Sequence, residues 1–257
     1  MSPRKFTNKI LAKAADENPV FFFDFDGTLA EIVPTPEEAG LTQKAKRVIE
    51  ELGKNFPIGI ISGRKLSDLR RLVGINGIYY SGNHGVEIQG PGLKFVEPNS
   101  AKSSGYITSL GKKIKRVLRP YRSRVNSKKY SISIHYRTVE PTKVKPLLRD
   151  LDKIISGPVR KGRIDVFHGK KVVEIKAPVE WDKGKAIELI LKKFGNQGTP
   201  IFFGDDTTDE FGFKKVNKMG GISIFVGNKH HSTAAKYEVE SPAELVDELA
   251  KFVAEMR

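Results

Sequence analysis

The chain has 257 residues, of which 39% are hydrophobic and 9% aromatic, a composition typical of a globular protein with a sizeable core. Its apolar runs are too short to span a bilayer, and residues 1–18 lack the apolar segment of a signal peptide. The absence of cysteine excludes disulfides and thiol chemistry. We therefore expect a cytoplasmic protein without a membrane anchor.

The formal net charge is +15, and three explanations compete for it. A nucleic-acid-binding protein would use such a field for phosphate contacts, an enzyme could attract a small anionic substrate with it, and a lysine-rich surface is also typical of thermophiles. The sequence has no recognised nucleic-acid-binding motif and no basic stripe interleaved with aromatic residues. Nucleic acid is therefore not expected as a partner, and we interpret most of the charge as a solvated surface.

Buried strands alternate with amphipathic helices in the first third of the chain. Four apolar residues in a row, Val20 to Phe23, are typical of a strand buried on both faces. The elements expected after it are a helix capped by Thr42 and ended by Gly53, a strand at 57–61, a short helix stopped by Gly74 and a strand at 78–80. This alternation predicts the α/β class, with a doubly wound, Rossmann-like parallel sheet and helices on both faces.

The pattern changes in the middle of the chain, where one face of the strands becomes polar. The expected elements there are a basic helix at about 104–119, a strand at 130–136, a helix at 141–155 and a hairpin around Gly169. We interpret residues 102–176 as a smaller inserted α+β domain, so that 1–101 and 177–257 form the core domain. The first pattern then resumes with a helix ended by Gly195, strands at 200–203 and 222–226, and a last helix that opens at Ser241.

Two carboxylates, Asp24 and Asp26, directly follow the first buried strand. Asp and Gly are ordinary turn residues, so a turn with solvated acids is one interpretation. An EF-hand is excluded because its loop needs further acidic positions at fixed spacing. Ligands of open α/β sheets bind just past the carboxyl ends of the strands. The catalytic interpretation is that Asp24 attacks a phosphorus atom, while Asp26 protonates the leaving oxygen and later deprotonates water.

Three further groups of residues directly follow a predicted strand or stand at the start of a predicted helix. Asp205 follows another buried strand, and beside Asp24 it would supply a second anionic oxygen for Mg²⁺, although acids at helix starts are also common caps. Ser62 and Gly63 can bind a phosphate oxygen through a hydroxyl and a backbone N–H, or simply form a turn. Lys183 can hold the phosphate and Asp24 in line as a point charge, or remain a solvated lysine.

The ordered motifs Asp-x-Asp-Gly-Thr, Ser-Gly-Arg, Lys-Gly and Gly-Asp-Asp-x-Thr-Asp-Glu resemble those of the haloacid dehalogenase superfamily of phosphatases. The resemblance implies a doubly wound core with the inserted domain as a cap. It also implies that the backbone carbonyl of Asp26 joins Asp24 and Asp205 around the metal. Asp206 and Asp209 are expected to support this metal shell.

A closer resemblance, over about residues 20–253, is to the trehalose-6-phosphate phosphatases. It rests on Gly-Asn-His-Gly-Val-Glu at 82–87, Ser-Ile-His-Tyr-Arg at 133–137 and Glu-Ile-Lys-Ala-Pro at 174–178. It implies that the His-Gly-x-Glu segment lies near the sugar phosphate and that cap residues contact the sugar hydroxyls. The substrate-binding residues implied are Gly63, Arg64, Asn83, His84, Gly85, Glu87, Lys128, Arg137 and Glu174. For Arg137 and Glu174, a cross-strand ion pair is the alternative interpretation.

Two departures from the family pattern bear on the identity of the sugar. The family usually has Glu where this chain has Asn126, which offers a neutral donor and acceptor instead of a charge. The family also tends toward small residues and Asn where this chain has Val179 to Asp182. Trp181, the only tryptophan, either packs against the protein or stacks on a sugar ring.

The resemblance implies a Mg²⁺-dependent phosphatase that hydrolyses trehalose 6-phosphate to trehalose and phosphate through an aspartyl-phosphate, in trehalose biosynthesis. Alternative substrates are other glycosyl phosphates: glucosyl-3-phosphoglycerate, mannosyl-3-phosphoglycerate and sucrose phosphate. The cap is expected to exclude water while the acyl-phosphate exists. We expect a monomer whose partner is a small-molecule sugar phosphate.

Overall fold

A computed structural model describes residues 3–33, 35, 38–169, 171–228 and 232–256. The chain divides into two compact units, which we call unit 1 (Met1–Phe95 with Trp181–Arg257) and unit 2 (Val96–Glu180). Unit 2 is wider than the range 102–176 assigned from the sequence, because its first helix begins at Pro98. None of the helices in the described ranges is long and apolar enough to cross a membrane.

Unit 1 is built on a mixed sheet that, in the described residues, has nine strands. The strands are β1 (Arg4–Lys5), β2 (Val20–Phe23), β3 (Ile58–Ile61), β4 (Tyr79–Gly82), β5 (Glu87–Gly90), β6 (Leu93–Val96), β11 (Pro200–Gly204), β12 (Ile222–Val226) and β13 (Tyr237–Val239). Their order across the sheet is β1-β13-β12-β11-β2-β3-β4-β5-β6. In this order, all neighbouring strands between β1 and β4 are parallel, and β4 and β5 are antiparallel.

Helices cover both faces of this sheet. They are α1 (Asn8–Ala14), α2 (Gln43–Asn55), α3 (Leu66–Val73), α6 (Lys183–Lys192), α7 (Glu210–Lys218) and α8 (Pro242–Glu255). The alternation of side chains along β2 sends Phe21 and Phe23 into one core, with α1, α2, α3 and α8, and Phe22 into the other, with α6 and α7. The predicted doubly wound α/β architecture is therefore confirmed.

Local sequence signals explain several helix ends in unit 1. The Thr42 hydroxyl accepts from the N–H of Ala45 at the start of α2, and Gly74 ends α3 in the left-handed conformation, both as predicted. The prediction that Gly53 ends α2 is wrong, because the helix runs to Asn55. Gly53 lies inside it at a close approach to the next strand, where a methyl group would be 3.4 Å from Ile58 Cδ1.

Unit 2 is a two-layer α+β structure. Its sheet has, in the described residues, the order β7-β8-β10-β9, and β8 and β10 pair antiparallel with each other and with their outer neighbours. The elements are α4 (Pro98–Val117), β7 (Arg124–Ser127), β8 (Ser131–His135), α5 (Pro141–Arg160), β9 (Asp165–Gly169) and β10 (Val172–Lys176). Both helices pack on the sheet face that carries Ile132 and Ile134. Because side chains alternate between the two faces of each strand, the other face of the sheet is polar.

Candidate active site

Three neighbouring parallel strands, β11, β2 and β3, end at one edge of the sheet of unit 1. Phe23 is in register with Phe203 on one side and Ile60 on the other, so the residues that follow these strands emerge together. Asp24 follows β2 directly, and its N–H donates to Phe203 O at 2.9 Å. Asp205 follows β11 and Ser62 follows β3, and all three polar side chains are buried. Parallel packing thus gathers the predicted acids and the serine at one rim.

Lys183, the first residue of α6, reaches this rim. Its Nζ donates to Asp24 Oδ1 at 2.9 Å and to Asp209 Oδ1 at 2.7 Å, and its side chain is only 3% exposed. Burial alone would lower the pKa of Lys183, but the carboxylates of Asp209 and Asp24 raise it above its ordinary value. The lysine therefore stays positively charged and fixes the position of one Asp24 oxygen.

Asp182, which the sequence reasoning missed, fixes the start of α6. Its side chain accepts from the N–H of Lys185 at 2.9 Å, a typical N-cap that anchors the first turn from which Lys183 projects. An aspartate directly before a clean amphipathic helix is the capping signal that could have identified it.

Asp209 organises the loop after β11. Its Oδ2 accepts from the backbone N–H groups of Asp205, at 3.0 Å, and Asp206, at 3.1 Å, while its Oδ1 accepts from Lys183. Both oxygens of this fully buried carboxylate are thus engaged with protein donors. Asp206 Oδ1 in turn accepts from the N–H and the hydroxyl of Thr208, both at 2.7 Å. Asp209 and Asp206 thus hold the loop on which Asp205 stands.

The acids of the rim suit a divalent cation. Within the described residues, one oxygen each of Asp24, Asp205 and Asp209 lies within 4.8 Å of the others. Burial raises the pKa of Asp24 well above its ordinary value, Lys183 lowers it, and the Asp209 and Asp205 carboxylates raise it further. The single positive charge of Lys183 therefore does not balance the negative charges of these three carboxylates. Carboxylate oxygens are also the ligands that Mg²⁺ and similar hard cations prefer.

Gly27 gives Asp205 the room to face Asp24. A methyl group at Gly27 would lie 2.3 Å from Asp205 Oδ2, and its φ of +81° is strained for other residues. The Gly of Asp-x-Asp-Gly-Thr therefore forms one wall of the candidate metal site.

Asp26 is held by an arginine. Arg64 Nε donates to Asp26 Oδ2 at 2.7 Å, and Arg64 Nη2 donates to Asp26 Oδ1 at 2.6 Å, which is a bidentate ion pair. The Arg64 guanidinium also lies over the ring of Phe25, at 5.3 Å from its centroid. The sequence resemblance gave Arg64 only as a substrate contact, whereas the geometry also makes it the partner of the expected general acid.

The segment predicted to lie near the sugar phosphate packs on the loop after β3. The N–H of His84 donates to Ser62 O at 2.9 Å, and the N–H of Asn83 donates to Arg64 O at 2.7 Å. The His84 ring lies against Gly63, where a methyl group would be 2.5 Å from its Cε1. These contacts place Asn83 and His84 beside the loop after β3, and the other predicted binding residues of the segment, Gly85 and Glu87, also lie in unit 1.

The remaining predicted binding residues, Lys128, Arg137 and Glu174, lie in unit 2. Glu174 is in register with Ser133, and Ser133 with Asn126, so these three share the sheet face that the helices leave uncovered. Glu174 forms an ion pair with Lys176 at 3.4 Å. Burial, followed by the charges of Arg124, Lys128 and Arg137, lowers the pKa of His135 on the same sheet. The uncovered face therefore combines the charges of Glu174 and Lys176 with the Ser133 hydroxyl and the Asn126 amide.

A family model described as Trehalose-phosphatase matches residues 22–243. The chain belongs to the trehalose-phosphatase family. Among its relatives, the rice protein "Probable trehalose-phosphate phosphatase 4" is 32% identical over 254 residues, which cover 95% of this chain and 68% of the rice protein. "Trehalose 6-phosphate phosphatase RA3" of Zea mays is 32% identical over 262 residues, covering 94% of this chain and 72% of the maize protein.

Solved structures share the fold of this trehalose-phosphatase family member. The C-terminal domain of the trehalose-6-phosphate phosphatase of C. albicans has a TM-score of 0.79 at 20% identity, covering 98% of both chains. A "trehalose-6-phosphate phosphatase related protein" has a TM-score of 0.78 at 23% identity, covering 92% of this chain and 98% of the other. Both likenesses extend over both units, so the inserted unit belongs to the shared architecture.

Proposed function

We infer that this chain is a phosphoric monoester hydrolase that converts trehalose 6-phosphate and water into trehalose and phosphate. One observation carries the inference: in a member of the trehalose-phosphatase family, Asp24, Lys183 and Asp205 meet at the carboxyl ends of adjacent strands. A nucleophilic carboxylate, a buried cation and a metal-binding acid are the groups that phosphate transfer through an enzyme ester needs.

We propose that Asp24 Oδ attacks the phosphorus atom, so that an acyl-phosphate bond forms as the bond from phosphorus to the sugar oxygen breaks. Asp26 gives its proton to that leaving oxygen, which releases trehalose. Asp26 then takes a proton from a water molecule, whose oxygen attacks the phosphorus and frees the Asp24 carboxylate with release of phosphate. Lys183 keeps Asp24 in position throughout, since its second ion pair with Asp209 holds the ammonium group in place.

The proton transfers require a change at Asp26. Both oxygens of its carboxylate are bonded to Arg64, although the side chain is 38% exposed. One oxygen has to leave the guanidinium before Asp26 can donate a proton to the sugar oxygen. We propose that the pair with Arg64 is the resting arrangement, and that an incoming phosphate group competes for the same guanidinium.

We propose Mg²⁺ as the metal, held by Asp24, Asp205 and the Asp26 backbone carbonyl, with Asp206 and Asp209 around them. When bound, it would supply positive charge that favours ionised Asp24 and stabilises negative charge on the phosphoryl oxygens. Chelator should stop phosphate release, and Mg²⁺ should restore it. The outcome that contradicts a metal requirement is full activity after exhaustive chelation.

The proposed sugar contacts are Asn83, His84, Glu87 and the backbone at Gly63 and Gly85 in unit 1. In unit 2 they are Lys128, Arg137 and Glu174. Their hydroxyl-binding chemistry suits a disaccharide phosphate. A panel of trehalose 6-phosphate, sucrose phosphate, glucosyl-3-phosphoglycerate and mannosyl-3-phosphoglycerate, compared by kcat/KM, tests the choice. A preference for any ester other than trehalose 6-phosphate would overturn the substrate but keep the chemistry. A cytoplasmic location and a monomeric state stay predictions, which fractionation and light scattering would test.

The nucleophile is tested with Asp24→Asn. The variant should lose all measurable phosphate release while keeping its fold, because an amide is a poor nucleophile. Asp247→Asn is the matched control, since Asp247 is an exposed acid paired with Lys44 on the surface of the same unit. Substantial activity in Asp24→Asn would refute the assignment.

A further inference from the structure

Trp181 is half-buried and packs within unit 1. Its ring stacks on Phe95, with centroids 5.0 Å apart and planes at 27°. Its Nε1 donates to Gly85 O at 2.6 Å. Phe95 and Trp181 are the last and first residues of the two chain segments that form unit 1. Trp181 begins the second segment and contacts two residues of the first: the ring of Phe95 and the backbone carbonyl of Gly85, which lies in the candidate sugar-binding turn.

The turn that Trp181 contacts has an unfavourable backbone. Asn83, His84 and Gly85 have φ values of 51°, 58° and 104°, so three consecutive residues lie at positive φ, two of which carry side chains. Such conformations persist only when the surrounding contacts determine them, and they cluster at functional sites. Gly85 is enclosed, because a methyl group there would lie 2.8 Å from Asp182 O and 3.1 Å from Trp181 Nε1. Trp181 and its neighbour thus form the wall against which the turn is fixed.

The other side of the turn faces the active site. The hydrogen bonds from Asn83 and His84 to the loop at 62–64 attach the turn to the residues that follow β3. Asn83 Nδ2 also donates to Glu87 Oε2 at 2.7 Å. A shift of the Gly85 peptide would therefore move His84, its neighbour in the turn, and Glu87, which is bonded to Asn83.

We propose that Trp181 is a positioning residue for the reaction: its indole N–H and its stack on Phe95 hold the left-handed turn 83–85 in the conformation that presents His84 and Glu87 to the sugar. The role rests on the proposed function, because it assigns this turn to the sugar part of the substrate.

Trp181→Phe tests the proposal, since phenylalanine keeps a ring against Phe95 and removes only the N–H donor. We expect KM for trehalose 6-phosphate to rise about three- to tenfold, as for the loss of one hydrogen bond, with kcat little changed. Both constants for p-nitrophenyl phosphate, which has no sugar, should match the wild-type values. Tyr79→Phe is the matched control, because it removes another aromatic donor to a backbone carbonyl, Pro91 O at 3.1 Å.

Two results would overturn the proposal. One is an unchanged KM for trehalose 6-phosphate in Trp181→Phe. The other is a general effect on the fold, which would appear as an equal loss with both substrates or as a loss shared by Tyr79→Phe. If the wild-type enzyme prefers another glycosyl phosphate, the comparison is made with that ester. If the wild-type protein is inactive with trehalose 6-phosphate, only the proposed substrate is refuted. If KM for the preferred ester is unchanged in Trp181→Phe, the role of Trp181 is refuted.

Discussion

Replacing Lys183 by methionine should destabilise unit 1 as well as stop catalysis. The lysine ammonium lies between Asp24 and Asp209, whose side chains are 6% and 0% exposed. Methionine has a similar length, so packing is largely kept and the main loss is the positive charge. Two buried carboxylates would then lose the positive charge that they share.

The expected loss is about 3–5 kcal/mol, the cost of removing one partner from a buried ion pair. For a unit of this size, that lowers the melting temperature by about 6–20 °C, at roughly 2–4 °C for each kcal/mol. The measurement is thermal unfolding at pH 7 in chelator, so that no divalent cation replaces the lost charge. Mg²⁺ should then recover part of the loss in the variant, because binding to the folded state alone stabilises it.

A surface ion pair provides the control for Lys183→Met. Lys215 Nζ lies 2.8 Å from Glu188 Oε2 with side chains 29% and 38% exposed, so Lys215→Met should cost at most about 1 kcal/mol. Combining Lys183→Met with Asp209→Asn should cost less than the sum of the two single changes, since one uncompensated carboxylate is gone. A melting temperature of Lys183→Met equal to that of Lys215→Met would refute the reasoning.

Three further changes test other parts of unit 1. Gly27→Ala should reduce phosphate release about a hundredfold by displacing Asp205, and circular dichroism should still show folded protein. Glu248→Gln should cost about 1 kcal/mol in urea unfolding at pH 7, because the carboxylate accepts from the N–H of Asn8 at 2.7 Å. Burial disfavours the charged carboxylate of Glu248, but its hydrogen bonds lower its pKa below the ordinary value of 4.5. The stability difference between the wild type and Glu248→Gln should therefore disappear as the pH falls below 4.5. Ser241→Ala should cost about 1 kcal/mol, since its hydroxyl caps α8.

The parts of the fold that the sequence predicted are those with strong local signals. The buried runs of β2, β3 and β11 and the caps at Thr42, Gly74 and Ser241 could be read directly. The prediction omitted β1, α1, β7, α7 and β13. The two residues of β1 are exposed and polar, and they form a strand only because β13, more than two hundred residues later, offers them an edge. Pairing at that distance leaves no local trace in composition or periodicity.

The candidate site also contains some residues that local sequence signals predicted and some contacts that they could not predict. Spacing and order pointed to Asp24, Ser62, Lys183 and Asp205, because each stands next to a recognisable strand or helix. The partner of Asp26 could not be predicted, since the pair with Arg64 depends on how two loops approach each other. The contact between Trp181 and Gly85 likewise depends on a turn with three positive φ values, which the sequence does not reveal.

The division of unit 1 into two chain segments has a consequence for biosynthesis. Strand β2 leaves the ribosome early, yet its neighbour β11 follows only after the whole of unit 2 has been made. Unit 2 is continuous and has its own core, so it can fold while the first segment still waits for its partners. The nascent enzyme thus leaves one edge of the phenylalanine strand β2 unpaired until translation is nearly finished, and we expect aggregation and chaperone binding to matter most in that interval.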